Sequence, residues 1–272
     1  MSLLSDIEKK AKRNHARIGL GIGKISEKII RSAKVAGEYA DVVLVGDEKE
    51  IKAIGTDLEI IHSDEAPKKL VELLVSGKID GAVRGTLSAT KTLSELKRSL
   101  NITKLYRVAL LETADGKPFF LAPVGIDEGN SIEDKVELVK RAAGHFGRLG
   151  VKMKVGILSG GRFEDKGRGV TIDRTLEEAR IVTQKLCELG IEAQNYSILI
   201  EDAIEEANFI LAPDGISGNL IFRTLVFLGG GYGHGAPVLM DKVFVDTSRV
   251  GGHYTRAIML ASALRIQPIQ KL

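Results

Sequence analysis

Short apolar runs alternate along almost the whole chain with longer stretches in which apolar residues recur at helical spacing. Asp41 to Val45, Glu59 to Ile61, Gly81 to Val83, Lys154 to Leu158, Phe209 to Leu211 and Lys242 to Val245 read as strands, and Ile198 to Glu201 as a further short one. Helical spacing covers Ile7 to Arg13, Ile25 to Gly37, Glu48 to Ile54, Ala66 to Ser76, Leu93 to Leu100 and Ile132 to Leu149. It returns over Arg174 to Leu189, Leu220 to Leu228 and Tyr254 to Leu264. Ser131, with Asp134 three residues on, reads as the cap of the Ile132 helix. Leu105 to Thr113 and Pro118 to Pro123 flank Asp115-Gly116, which predicts a hairpin and the one clearly antiparallel element.

This alternation predicts an α/β protein with largely parallel sheets. The length of 272 residues suits two domains better than one core. The expected division is a first domain over 1–126, completed by 244–272, and a second over 127–243, with a boundary at the turn-rich stretch Gly125 to Ser131.

Composition narrows the function. Apolar residues make up 44% and charged residues 28%, as in a soluble globular protein. No secretory signal or membrane-length apolar run is present, so a cytoplasmic protein without membrane association is expected. The net charge of +3 is spread among interleaved acids and bases, which favours an anionic small-molecule substrate over nucleic acid. Cys187 is the only cysteine, which excludes an intramolecular disulfide and a cysteine zinc cluster; its place in a helical pattern predicts a buried core thiol. The five histidines lack zinc-ligand spacing, so no metal site is expected.

Four strand-to-helix loops carry the candidate chemistry. The richest is Ala212 to Arg223, in which Asp214, Ser217, Gly218 and Asn219 open a helix; backbone N–H groups and the positive dipole end would face an anion there. Arg84, Thr86 and Ser88 follow the Gly81 strand and suit a phosphate. Ser159, Gly160 and Gly161 follow the Lys154 strand, at the strand end where open α/β sheets place their ligands. Asp246-Thr247-Ser248-Arg249 to His253 joins the last strand to the last helix. Each loop alone also reads as an ordinary cap or turn. Their shared combination of glycine, hydroxyl and, in three of them, arginine points to a cleft for a phosphorylated anion. Gly19 to Lys24 looks like a phosphate loop, but the spacing fails and Ile25 stands where a hydroxyl is needed.

Together these segments resemble the phosphate acetyl/butyryltransferase family. The family's Pro-Asp-x-x-Ser-Gly-Asn pattern with a basic residue four positions on matches Pro213 to Asn219 and Arg223, and its Asp-x-Ser-Arg matches Asp246 to Arg249. Ile29 to Asp47, Leu158-Ser159 and Lys166-Gly167 match in order. The resemblance implies an isocitrate/isopropylmalate dehydrogenase-like architecture with an interdomain cleft, a homodimer, and transfer of an acyl group between phosphate and a thiol. Coenzyme A is the implied cosubstrate, with no covalently bound cofactor, and Ser248 and Arg249 are the implied phosphate ligands. The aspartate that serves as thiol base seven residues after that serine is replaced by Thr255, which makes His253 the substitute candidate. The overall length and the Ser248 to His253 loop are similar to the archaeal methanogenesis-marker MtxX proteins, provisionally methyltransferases. That resemblance implies methyl transfer as an alternative, with a methyl-carrier protein or pterin as partner, although no S-adenosylmethionine loop or corrinoid-ligand motif is found. A non-catalytic anion sensor is the third reading.

Overall fold

The computed structural model describes residues 3–247 and 254–266. In chain order it contains α1 (Leu3–Asn14), β1 (Ala16–Gly21), α2 (Glu27–Val35), β2 (Ala40–Gly46), α3 (Glu48–Ala53), β3 (Glu59–His62), α4 (Ala66–Val75), β4 (Gly81–Val83) and α5 (Ala89–Leu100). Next come β5 (Ala109–Glu112), β6 (Pro118–Ala122), α6 (Ile132–Leu149), β7 (Val155–Ile157), α7 (Val170–Glu188), β8 (Ala193–Asn195), α8 (Ile200–Glu206), β9 (Phe209–Leu211) and α9 (Gly215–Phe227). The chain ends with β10 (Tyr232–Gly233), β11 (Ala236–Pro237), β12 (Val243–Asp246) and α10 (Tyr254–Ala263). Two compact units result, Met1–Leu105 with His234–Leu272, and Tyr106–Gly233.

The first unit holds a six-stranded sheet in the order β11-β12-β4-β1-β2-β3, parallel except at β11. Its central strand β1 lies in glycine-rich sequence that looks like a loop. The glycines serve close packing: a Cβ on Gly19 would stand 2.7 Å from Ile79 Cδ1, and one on Gly21 2.3 Å from Leu87 Cδ1. Leu70, Val71, Leu74, Ile79, Leu87 and Phe244 form the core on that side. On the other side α10 is tied to α1, because Asn14 Nδ2 donates to the carbonyls of Ser262 (2.9 Å) and Ala263 (3.2 Å).

The second unit's sheet runs β10-β5-β6-β9-β7-β8, parallel from β6 to β8 and antiparallel from β10 to β6. The predicted hairpin is β5–β6. It pairs with β9 and so belongs to the second unit, which moves the boundary from 126/127 back to 105/106; the return to the first unit falls at 233/234 instead of 243/244. The α6 cap is as predicted, Ser131 Oγ accepting from Asp134 N at 3.2 Å.

Two expectations are corrected. Residues 200–206 are helical, with Glu201 and Asp202 in the first turn where the helix dipole favours acids; the strand lies earlier, at β8 on the sheet edge, where a polar sequence suffices. Cys187 is exposed, at the flank of the stripe by which α7 buries Leu176, Ala179, Val182 and Leu186, and its thiol donates to Ala193 O at 3.6 Å. Among the described residues no helix is long and apolar enough to cross a membrane.

Candidate functional site

In the first unit β4 and β1 are parallel neighbours, and the chain leaves β1 toward β2 while β4 lies on the opposite side. Such a reversal opens a crevice at the carboxyl ends of the strands. Thr86 Oγ1 knits the two strand-end loops together by accepting from the N–H groups of Gly23 and Lys24, each at 3.0 Å. Gly85 has φ +61, and a Cβ there would lie 2.1 Å from Gly21 O, so only glycine fits.

Arg84, expected to meet a ligand, turns inward and is 4% exposed. Its Nε donates to the Asp246 carboxylate, one terminal nitrogen to Thr247 O and the other to Leu87 O at 2.7 Å. Thr247 Oγ1 adds a bond to Gly85 O at 3.0 Å. The end of β12 is thereby clamped to the end of β4. Ser88 caps α5, accepting from Lys91 N at 3.4 Å. Ser248, Arg249 and His253 lie outside the described residues. Beyond them Tyr254 is buried, and burial pushes its hydroxyl above the ordinary range, opposed by the charge of Arg84. Thr255 Oγ1 donates to Ser32 O at 2.9 Å, so this hydroxyl anchors α10 to α2.

In the second unit the reversal lies between β7, which continues to β8, and β9, which neighbours β6. Ser159 is buried at the end of β7; its N–H donates to Ser197 O at 2.7 Å and its hydroxyl to Gly161 O at 3.0 Å. Gly160 N donates to Thr175 Oγ1 at 2.9 Å.

The Pro213–Asn219 segment is knitted to the loop after β6. The Asp214 carboxylate caps α9, accepting from Ser217 N at 2.8 Å. Gly215 N donates to Glu128 O at 3.1 Å, and Asn219 Nδ2 to Val124 O at 2.9 Å. A Cβ on Gly218 would stand 1.9 Å from Pro123 O, and one on Gly215 1.7 Å from Gly125 O. The groups expected to cradle an anion are therefore spent on folding, and a carboxylate already sits at the helix N-terminus. Ser217 Oγ is the exception, with no hydrogen bond among the described residues.

Several residues of chemical interest were not legible in the sequence. Glu128 is 2% exposed beneath α9, accepting from Arg107 Nε at 2.7 Å and Arg107 N at 3.0 Å. Burial raises its carboxyl above the ordinary range against the pull of Arg107. Ser197 is buried at φ +58, and its hydroxyl has no hydrogen-bond partner among the described residues. Lys135 is buried and donates to Glu178 Oε2 at 2.6 Å. One signal for Lys135 existed, since it shares the buried stripe of α6 with Leu138, Val139 and Ala142. No cluster of three or more potential metal ligands occurs among the described residues.

No family model matches the chain. Mtx subunit X of Methanosarcina mazei, provisionally named a methyltransferase, is 58% identical over 266 residues, 97% of this chain and 95% of the relative. Phosphate butyryltransferase of Clostridium acetobutylicum is 24% identical over 271 residues, covering 86% and 87%. A phosphotransacetylase from Streptococcus pyogenes superposes with a TM-score of 0.71 at 18% identity, covering 96% of this chain and 98% of that one, a likeness of fold. With a relative at such identity over nearly its whole length, the chain belongs to the mtx subunit X family, on a phosphotransacetylase-like α/β fold.

Proposed function

We propose that this protein is a transferase that binds a phosphorylated anionic small molecule and moves an acyl or related group between phosphate and a thiol such as coenzyme A. The observation that carries the reading is the buried Arg84–Asp246 clamp with its Thr247–Gly85 bond. It fixes the strand end from which Ser248 and Arg249 follow in sequence. The distant likeness to a phosphate butyryltransferase supports the same chemistry.

In this reading Arg249 and Ser248 donate to the phosphate oxygens as they gain charge. His253, an imidazole and so a side chain that can exchange a proton near neutral pH, takes the thiol proton. The sulfur then attacks the acyl carbon, the C–S bond forms as the C–O bond to phosphate breaks, and inorganic phosphate leaves. Thr255 takes no part, since its hydroxyl is bonded to Ser32. The second reading, methyl transfer from a methylated pterin or carrier protein, is favoured by the provisional name of the mtx subunit X relative.

The test is a thermal-shift and titration series with phosphate, acetyl phosphate, coenzyme A, acetyl-coenzyme A, S-adenosylmethionine and a methylated pterin, followed by a thiol-release assay. Acetyl phosphate should stabilise the protein, and Arg249→Ala should weaken its binding by about 1.5–3 kcal/mol. Equal affinity in both proteins overturns the phosphate assignment. A response to the methyl donors alone selects the second reading.

A further inference from the structure

Helix α9 is apolar on two opposite faces. One face is packed within its own unit: a Cβ on Gly218 would stand 1.9 Å from Pro123 O, one on Gly233 3.3 Å from Phe222 Cε2 and 3.6 Å from Val226 Cγ2, and one on Gly231 2.9 Å from Leu225 Cγ. On the other face Ile216, Leu220, Arg223 and Phe227 recur at i, i+4, i+7 and i+11, within about 60° of one another around the helix. Ile216 is 60% and Leu220 59% exposed, and the Arg223 guanidinium lies 5.3 Å from the centre of the Phe227 ring. Leu228 and Tyr232 beyond the helix end are exposed as well, as is Ile126, which follows the Gly125 whose carbonyl lies against Gly215. Five of the twelve large apolar side chains exposed among the described residues are thus on or beside this helix. A helix that is apolar all round belongs in an interior, and at 13 residues α9 is too short to cross a membrane.

Charge, symmetry and area select a second copy of this chain as the cover. The stripe carries one charge, Arg223, stacked on its own Phe227, and so offers a charged partner little to pair with. Turned antiparallel about a two-fold axis through its middle, the stripe is self-complementary, as an isologous interface requires. Ile216 then meets the partner's Phe227, and Leu220 meets the aliphatic stem of the partner's Arg223. The spacing is that of side chains packing as knobs into holes. At roughly 150–250 Å² for a large side chain, the five exposed ones leave about 500–800 Å² uncovered. With Phe227 and the Arg223 stem the face reaches the roughly 800 Å² per partner of a stable dimer.

We propose that α9 forms the centre of a two-fold homodimer interface, packed antiparallel against α9 of a second copy. The interface lies on the second unit and does not depend on the acyl-transfer reading.

The test is sedimentation equilibrium of the full-length protein at micromolar concentrations, which should give twice the chain mass. Leu220→Lys sets a charge against the partner's Arg223. Both copies carry the change, so about tenfold per copy becomes about a hundredfold in the dissociation constant. Leu220→Glu meets the same arginine as an ion pair and should weaken the dimer less. Leu220 is exposed in the single chain, so the circular dichroism of both variants should be that of the native protein. A cross-link gives a readout independent of these charges. With Cys187→Ser to remove the native thiol, Ile216→Cys with Phe227→Cys should oxidise to a covalent dimer. Within one helix the two positions are about 16 Å apart, too far for an internal disulfide. Several outcomes overturn the interface: a monomer at every concentration, which would assign the face to a different protein; an unchanged dissociation constant in Leu220→Lys; equal weakening by Lys and Glu; or no covalent dimer.

Discussion

Replacing Arg84 by methionine tests whether this arginine is a clamp or a ligand group. The side chain is 5% exposed and its carboxylate partner on Asp246 is 11% exposed, so the pair is screened little by solvent. Methionine keeps most of the bulk but removes the charge and the donors that reach Asp246, Thr247 O and Leu87 O. Removing one partner of a buried ion pair costs about 3–5 kcal/mol, because the remaining charge stays buried. With a urea m-value of about 2–3 kcal/mol/M, the midpoint followed by circular dichroism at 222 nm should fall by about 1–2.5 M. Adding Asp246→Asn should restore part of the loss, since the stranded charge is gone, and the double-mutant cycle should show coupling above about 1 kcal/mol. A loss below about 1 kcal/mol together with weakened phosphate binding would refute the reasoning and return Arg84 to the ligand.

Gly218→Ala should cost about 1–3 kcal/mol or more, because its Cβ would meet a backbone oxygen at 1.9 Å, while Ser217→Ala should stay within about 0.5 kcal/mol; equal effects in urea unfolding would contradict the packing described. Ser197→Gly should raise stability by about 1 kcal/mol, since glycine adopts φ +58 freely and removes the orphan hydroxyl; a decrease would mean that the hydroxyl has a partner in solution. Burial raises the folded-state pKa of Glu128 above its unfolded value of 4.5, so its contribution is full below pH 4.5 and is lost as pH rises through the raised value. The stability of Glu128→Gln relative to the native protein should therefore grow from pH 4 to 7, and a constant or shrinking difference in thermal unfolding would exclude a raised pKa.

The sequence alone determined the α/β class, most helices, the hairpin and the α6 cap, because apolar periodicity and capping are local properties. The resemblance carried by Pro213–Asn219 and Asp246–Arg249 also led to the phosphotransacetylase-like fold. β1 was hidden because its glycines answer to Ile79 and Leu87, distant in sequence, and not to a local turn. The role of the motif residues was hidden for the same reason. Asp214, Gly215, Gly218 and Asn219 look like an anion cradle until Val124, Gly125 and Glu128 are brought beneath them. Arg84 looks like a phosphate ligand until Asp246, far along the chain, takes its charge. Which polar groups are spent on folding depends on contacts between distant segments, as with Lys135 and Glu178, and only the tertiary structure decides it.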